Sequence, residues 1–216
     1  TPTGYSTTVL AANGEETATL VGQGANRQYV TIDEIPLDLQ HAFVAIEDER
    51  FYDHNGIDLH GIGSAFIPGL SKGRFSEGAS TITQQLIKNN VLTSWTSETS
   101  FVEKLQRKIQ EQYLALQLTK SMDRKLILTN YLNTINLGNN ALGVKVAARR
   151  YFNKDVSDLT LSECAVIAGI TQNPSRLNPI SGQEANAEKR KVILQYMFEQ
   201  GYSSKDQQEE VLGASG

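Results

Sequence analysis

Two Thr-x-x-Glu boxes, Thr31 with Glu34 and Thr160 with Glu163, most constrain how this chain can fold. In such a box the hydroxyl accepts from the N–H three residues on, and the carboxylate reaches back to the threonine's own N–H. Each box therefore marks a helix start. After the first, Pro36 suits an opening turn, and Ile35, Leu39, Ala42 or Phe43, and Ile46 fall on one helical face. That helix delivers "EDERFYDHNGID", and Gly56 breaks it. Ser80 predicts the cap of a helix over 81–90, and Ser121 that of a helix over about 122–135. Between them a long helix over 102–120 is expected, its apolar stripe drawn from Val102, Leu105, Ile109 and Leu116 with Tyr113 beside them. "VKVAARRYF" reads as another helix, and the one begun at Thr160 ends before Pro174. Residues 184–199 form a further helix closed by Gly201, with a short one over about 204–212.

Residues 1–30 read differently, as two short strands joined at Asn13-Gly14, a strong turn pair. A lone hairpin is marginal, so it is expected to lean on the body formed by 31–216. Residues 59–79 are rich in Gly and Ser, with a turn at Pro68-Gly69. The class is mainly α with a short N-terminal β-hairpin. With 216 residues and 39% hydrophobic content, the chain can bury a sizeable core.

A net charge of -4 does not suggest a nucleic-acid binder. The single cysteine, Cys164 in "LSECAVIAGI", excludes an internal disulfide and a cysteine metal cluster, and reads as a buried thiol. His41, His54 and His60 show no metal-ligand spacing. No run of 18 apolar residues and no signal peptide is present.

Three stretches could carry chemistry. In "EDERFYDH", Glu47 lies one residue past Ile46 and four past Phe43, bordering the apolar face. Partial desolvation there suits a general base. The plainer reading is a charged helix end in which Glu49, Arg50 and Asp53 balance one another. In "KLQRKIQEQ", Lys104, Arg107, Lys108 and Glu111 cluster on adjacent helical rows. They form either a solvated face of ordinary ion pairs or a cationic patch for a phosphate with one carboxylate inside it. In "STITQQLIKN", a helix N-terminus at Ser80-Thr81 offers N–H groups and hydroxyls, and Gln84, Gln85, Lys88 and Asn89 continue outward. These suit a sugar or a diphosphate-linked sugar, unless the stretch is a surface helix packed by Ile82 and Leu86.

Together these stretches resemble the peptidoglycan glycosyltransferase domain of bifunctional penicillin-binding proteins and their monofunctional relatives. "EDERFYDHNGID" (47–58), "GASTITQQLIKN" (78–89), "RKIQEQYLA" (107–115) and the following "YLN" and "LG" segments match that family's ordered motifs. "ARRYFNKDVSDLTLSECAVIAGITQNPSRLNP" is similar to its C-terminal helices and proline turns. The resemblance implies a lysozyme-like helical head with a smaller membrane-facing jaw, roughly 59–101 here. It implies lipid II and the growing glycan strand as substrates, at the outer face of the bacterial cytoplasmic membrane. It also implies an N-terminal membrane anchor preceding the segment seen here, and leaves room for other cell-wall synthesis proteins as partners.

Matched residue by residue, Glu47 takes the place of the family's catalytic base and Glu111 that of its second essential glutamate. Lys88, Arg107 and Lys108 are the cations expected to meet the departing diphosphate. Ser80, Thr81, Gln84, Gln85, Asn89, Asp48, Phe51 and His54 complete the expected substrate-binding set. No cofactor is required by the sequence, although the resemblance admits a divalent cation, Mg or Mn, on the diphosphate. The chain departs from the family's pattern in a longer 90–101 link, in which Trp95 and Phe101 read as interfacial anchors or as part of an ordinary loop. It also departs at Ala79, at Ser64, whose charge Arg74 or Lys72 could supply, and at Thr119. Two other readings remain: a lysozyme-like hydrolase or lytic transglycosylase, and a non-catalytic domain that holds lipid-linked sugars. The first needs a protonated acid and no diphosphate patch, so Lys88, Arg107 and Lys108 favour the transferase. Loss of either matched glutamate would favour the second, and both are present.

Overall fold

The computed structural model describes residues 7–10, 16–20, 27–60, 80–90 and 101–213, with side chains for 27–60, 80–90 and 102–213. The expected turns at Asn13-Gly14 and Pro68-Gly69, nearly all of the expected jaw, Ser64, Lys72, Arg74, Ala79, Trp95 and the side chain of Phe101 lie outside the described residues. Strands β1 (Thr7–Leu10) and β2 (Glu16–Leu20) pair antiparallel, with Thr7 opposite Leu20 and a register shift between Val9 and Leu10. Eight α-helices follow among the described residues: α1 (Leu37–Glu47), α2 (Ile82–Asn90), α3 (Phe101–Ser121), α4 (Arg124–Thr134), α5 (Val144–Phe152), α6 (Leu161–Gly169), α7 (Gln183–Glu199) and α8 (Lys205–Gly213). The protein is mainly helical, as the caps and breakers predict.

The chain divides into two compact units, Thr1–Ala42 with Leu132–Gly216, and Phe43–Tyr131. In the first, Leu39, Leu137, Val144, Ala148, Ile167, Ile193 and Met197 are buried, and α6 packs on α7. Buried Asn133 accepts from Val30 N–H and donates to Val30 C=O, both at 2.8 Å, so one side-chain amide satisfies a buried backbone pair. Both predicted capping boxes form, although the Thr31 box opens a 3-10 turn (Ile32–Glu34) and α1 begins only after Pro36. Cys164 is fully buried, and burial pushes its thiol well above the ordinary range. Gly201, at φ +77°, follows α7 as predicted.

The second unit buries Phe43, Phe51, Ile82, Leu86, Ile127, Leu128 and Tyr131. Two expectations fail here. The cap of α2 is Thr81 rather than Ser80: Thr81 Oγ1 accepts from Gln84 N–H at 3.2 Å, and Gln84 Oε1 accepts from Thr81 N–H at 2.9 Å. This is the same reciprocal box with glutamine in place of glutamate. Likewise Asp123, not Ser121, caps α4, accepting from Leu126 N–H at 2.7 Å.

The larger correction concerns α3. Val102, Leu105, Ile109 and Tyr113, expected to face the core, are 61%, 50%, 58% and 61% exposed. The helix instead buries Glu111 and Ala115. At about 100° per residue, Ile109 and Glu111 lie about 200° apart, so the apolar stripe and the buried carboxylate occupy opposite faces. The inward face is polar because of what it meets, namely the entry to α2 and the turn at Gly56.

Candidate active site

The "EDERFYDHNGID" stretch folds as the end of α1 followed by tight turns, and one glycine sets its course. Gly56 has φ +98°, and a Cβ there would stand 2.6 Å from Ala115 O and 2.5 Å from Thr119 Oγ1. Only glycine lets this turn lie against the backbone of α3. Gly56 N–H donates to His54 Nδ1 at 3.0 Å, and Gly56 C=O accepts from the Thr81 hydroxyl at 2.8 Å. Since His54 Nδ1 is an acceptor, the ring proton sits on Nε2 and donates to Asp48 Oδ1 at 2.7 Å. The other Asp48 oxygen accepts from Ile82 N–H at 3.0 Å. Asp48, His54, Gly56 and Thr81 thus form one closed network that seats the N-terminus of α2 beside the end of α1. The carboxylate there also suits the positive end of the helix.

This places several expected substrate contacts in the scaffold. Thr81 and Gln84 are buried and hold each other; Phe51 is fully buried, with the Arg124 guanidinium 5.5 Å above its ring. The N–H groups of Thr81, Ile82 and Gln84 are satisfied from within the protein. Arg50 forks onto Asp58, with Nε 3.2 Å from Oδ1, and also feels the charge of Glu49. Thr119 donates to Ala115 C=O at 2.9 Å, a bond internal to the helix.

Two acidic centres meet α2. At the first, Gln85 Nε2 donates to Glu47 Oε2 at 2.7 Å, and Glu47 is half-buried. At the second, Lys108 Nζ donates to Glu111 Oε1 at 2.7 Å and to Ser80 Oγ at 2.8 Å. Glu111 is 2% exposed, whereas the lysine side chain keeps 37%. A buried carboxylate paired with a partly exposed cation leaves positive charge facing outward, which suits an anion. Arg107 is half-buried beside this pair in sequence, and Lys88 and Asn89 are exposed on the last turn of α2.

Ser80, just before the Thr81 cap, and Gln85, on α2, link the two centres: the first holds the cation, the second the carboxylate. Sequence reasoning missed Gly56 as the hub, and Tyr131, whose hydroxyl donates to Gln85 Oε1 at 3.1 Å. The signal for Gly56 was its place in the turn pair Asn55-Gly56; for Tyr131 it was a polar-tipped aromatic in the "YLN" segment.

Among the described residues no three His, Cys, Asp or Glu side chains gather as metal ligands.

A family model described as Transglycosylase matches residues 13–198. Penicillin-binding protein 1A of Clostridium perfringens (strain 13 / Type A) is 49% identical over 84% of this chain and 27% of that protein. Penicillin-binding protein 1F of Bacillus subtilis (strain 168) is 41% identical over 92% of the chain and 27% of its own length. Penicillin-binding protein 1A of Escherichia coli (strain K12) is 42% identical over 92% and 22%. The chain therefore spans about a quarter of the length of these relatives. Among solved structures, penicillin-binding protein 1A from Haemophilus influenzae matches with a TM-score of 0.52 at 23% identity, over 97% of this chain and 20% of that one. That likeness supports the mainly helical fold.

Proposed function

The chain belongs to the transglycosylase family, and from that membership we propose that it is a peptidoglycan glycosyltransferase that polymerises lipid II. Glu47 takes the proton of the acceptor's 4-hydroxyl, whose oxygen attacks C1 of the donor sugar. The bond from C1 to the diphosphate breaks, undecaprenyl diphosphate leaves with that electron pair, and the anomeric centre inverts. No protein nucleophile is needed. What the reaction does need is a base on the acceptor side and positive charge on the leaving side.

One observation carries this reading. The segment 80–85 holds Glu47 through Gln85, on the first turns of α2, and the Lys108–Glu111 pair through Ser80, the residue before the Thr81 cap. Base and cation are thus tied to the start of one helix and the residue that leads into it. Lys108, with Lys88 and Arg107, would meet the diphosphate oxygens, while Glu111 orients Lys108. Asp48, His54 and Thr81 hold α2 in place rather than touching sugar.

The substrate's lipid tail calls for a membrane surface. None of the described helices is long and apolar enough to cross a membrane. The exposed stripe Val102, Leu105, Ile109 and Tyr113 offers a surface of the right chemistry to rest on one, with an aromatic at one end. In this reading the protein works at the extracytoplasmic face of the bacterial membrane.

The test is glycan polymerisation from fluorescent lipid II, resolved by gel. Glu47→Gln is expected to lower the rate by about 10²–10⁴-fold while lipid II binding stays near parental. A Glu47→Gln protein that polymerises at the parental rate would remove Glu47 from the role of base. Short fragments released from preformed glycan, with no lipid II consumed, would indicate a hydrolase instead.

A further inference from the structure

Tyr131 has no part in the reaction described above, yet its phenol is buried at the heart of the second unit. It is 0% exposed, on α4, and its ring meets Phe43 edge-on, with centroids 6.0 Å apart and planes at 83°. Phe43 lies one turn before Glu47 on α1. The Tyr131 hydroxyl donates to Gln85 Oε1 at 3.1 Å, and the other end of the same amide donates from Nε2 to Glu47 Oε2 at 2.7 Å. A primary amide has one accepting and one donating side. Turned over, Gln85 would present its oxygen to the Glu47 carboxylate, two acceptors facing one another. A donor locked against Gln85 Oε1 removes that arrangement. Burial first, and the carboxylates of Glu47 and Asp48 second, hold the phenol proton on well above the ordinary tyrosine range, so the donor is permanent.

We propose that Tyr131 is a positioning residue for catalysis, fixing the orientation of Gln85 so that Gln85 in turn holds the Glu47 carboxylate toward the acceptor hydroxyl. The effect is transmitted by two hydrogen bonds across three helices, α4 to α2 to α1, with Phe43 preventing the tyrosine ring from swinging away. Removing the hydroxyl leaves the amide held from its Nε2 side alone, by Glu47 at 2.7 Å and the Ser80 carbonyl at 3.4 Å, and weakens its hold on the carboxylate. Substrate affinity is untouched, because Tyr131 is buried away from solvent. Loss therefore falls on kcat and not on KM. The inference rests on Glu47 being the base.

The experiment compares Tyr131→Phe, Gln85→Ala, the double variant and Glu47→Gln in the purified protein, with lipid II polymerisation as readout and thermal melting as the check on folding. Tyr131→Phe keeps the ring and its contact with Phe43. It is expected to lower kcat about tenfold with KM within about twofold of parental, in a protein that melts as a folded domain. Gln85→Ala is expected to lower kcat by about thirtyfold, and the double variant by no more than that, the result required of a tyrosine that acts through the amide. Parental kcat in Tyr131→Phe, a rise in KM with kcat unchanged, or multiplicative losses in the double variant each overturn the proposal. If Glu47→Gln is inactive while Tyr131→Phe is parental, only the positioning role falls. If Glu47→Gln is itself active, the base and the positioning role fall together.

Discussion

At Gly56 three demands meet in one residue: a left-handed backbone, a close approach to Ala115 C=O, and hydrogen bonds on both its N–H and its C=O. Any residue but proline could make the two backbone bonds, but a side chain fails the first two demands. Gly56→Ala is expected to destabilise the protein by about 2–4 kcal/mol, from the positive φ together with the overlap against α3. Urea denaturation should show the midpoint falling with an unchanged slope; a midpoint within error of parental would contradict the packing described. The motif around Gly56 was legible as a motif, but the division of labour inside it was not. Asp48, His54 and Thr81 have the side chains of substrate ligands, and in the folded protein Asp48 binds His54 and Ile82 N–H while the Thr81 hydroxyl donates to Gly56 C=O. Residue type states which bonds a group can make, and only neighbours distant in sequence decide which of them it does make.

Among the elements, α3 departs furthest from its expected behaviour. Its apolar residues recur at 102, 105, 109 and 113 with helical spacing, which ordinarily marks a buried face. Here that face is exposed and the opposite one, carrying Glu111 and Ala115, is packed. Periodicity reports that a helix has an apolar side without reporting what lies against it. Four large apolar side chains in water are a standing cost, each worth about 1.5–3 kcal/mol if fully buried. A lipid surface, in the reading proposed, would recover part of that. The double variant Leu105→Asp with Ile109→Asp is expected to weaken sedimentation with phosphatidylglycerol vesicles at least about tenfold while leaving the melting temperature within a few degrees. Unchanged vesicle binding would show that the stripe faces something else. The helix starts were read more accurately than the faces, because a cap is a local bond between residues three apart. Even so, Ser80 and Ser121 yielded to Thr81 and Asp123, each a nearby residue that accepts from the N–H three residues on and so starts its helix one or two positions later.

For the molecule as a whole, resistance to acid depends on ion pairs that lie away from the reaction. In the first unit, burial alone would raise the carboxyl of Glu163, but hydrogen bonds from Lys154 Nζ at 2.8 Å and from Thr160 N–H at 2.8 Å outweigh it and hold the group below its ordinary value. A depressed folded value means stabilisation that is complete above the unfolded value, about 4.3, and lost as pH falls through the folded one. Glu163→Gln is therefore expected to lower the melting temperature at about pH 7 and to flatten its decline toward about pH 3. A variant as acid-sensitive as the parent would place the dependence elsewhere. The box that anchors this effect could be read directly from Thr160 and Glu163, and Lys154, in the segment before it, could not. The same contrast runs through the protein. Helix starts, the mainly helical class and the motif stretches follow from bonds and spacings within a few residues, so one chain's order of residues suffices to read them. That Gln85 on α2 serves Glu47 and Ser80 just before it serves Lys108, that Tyr131 reaches Glu47 through Gln85, and that α3 turns its carboxylate inward are decided by groups 28 to 46 positions apart or by the surface a helix happens to meet. Those pairings exist only once the chain has closed on itself, because the free energy of each depends on excluding water from both partners at once.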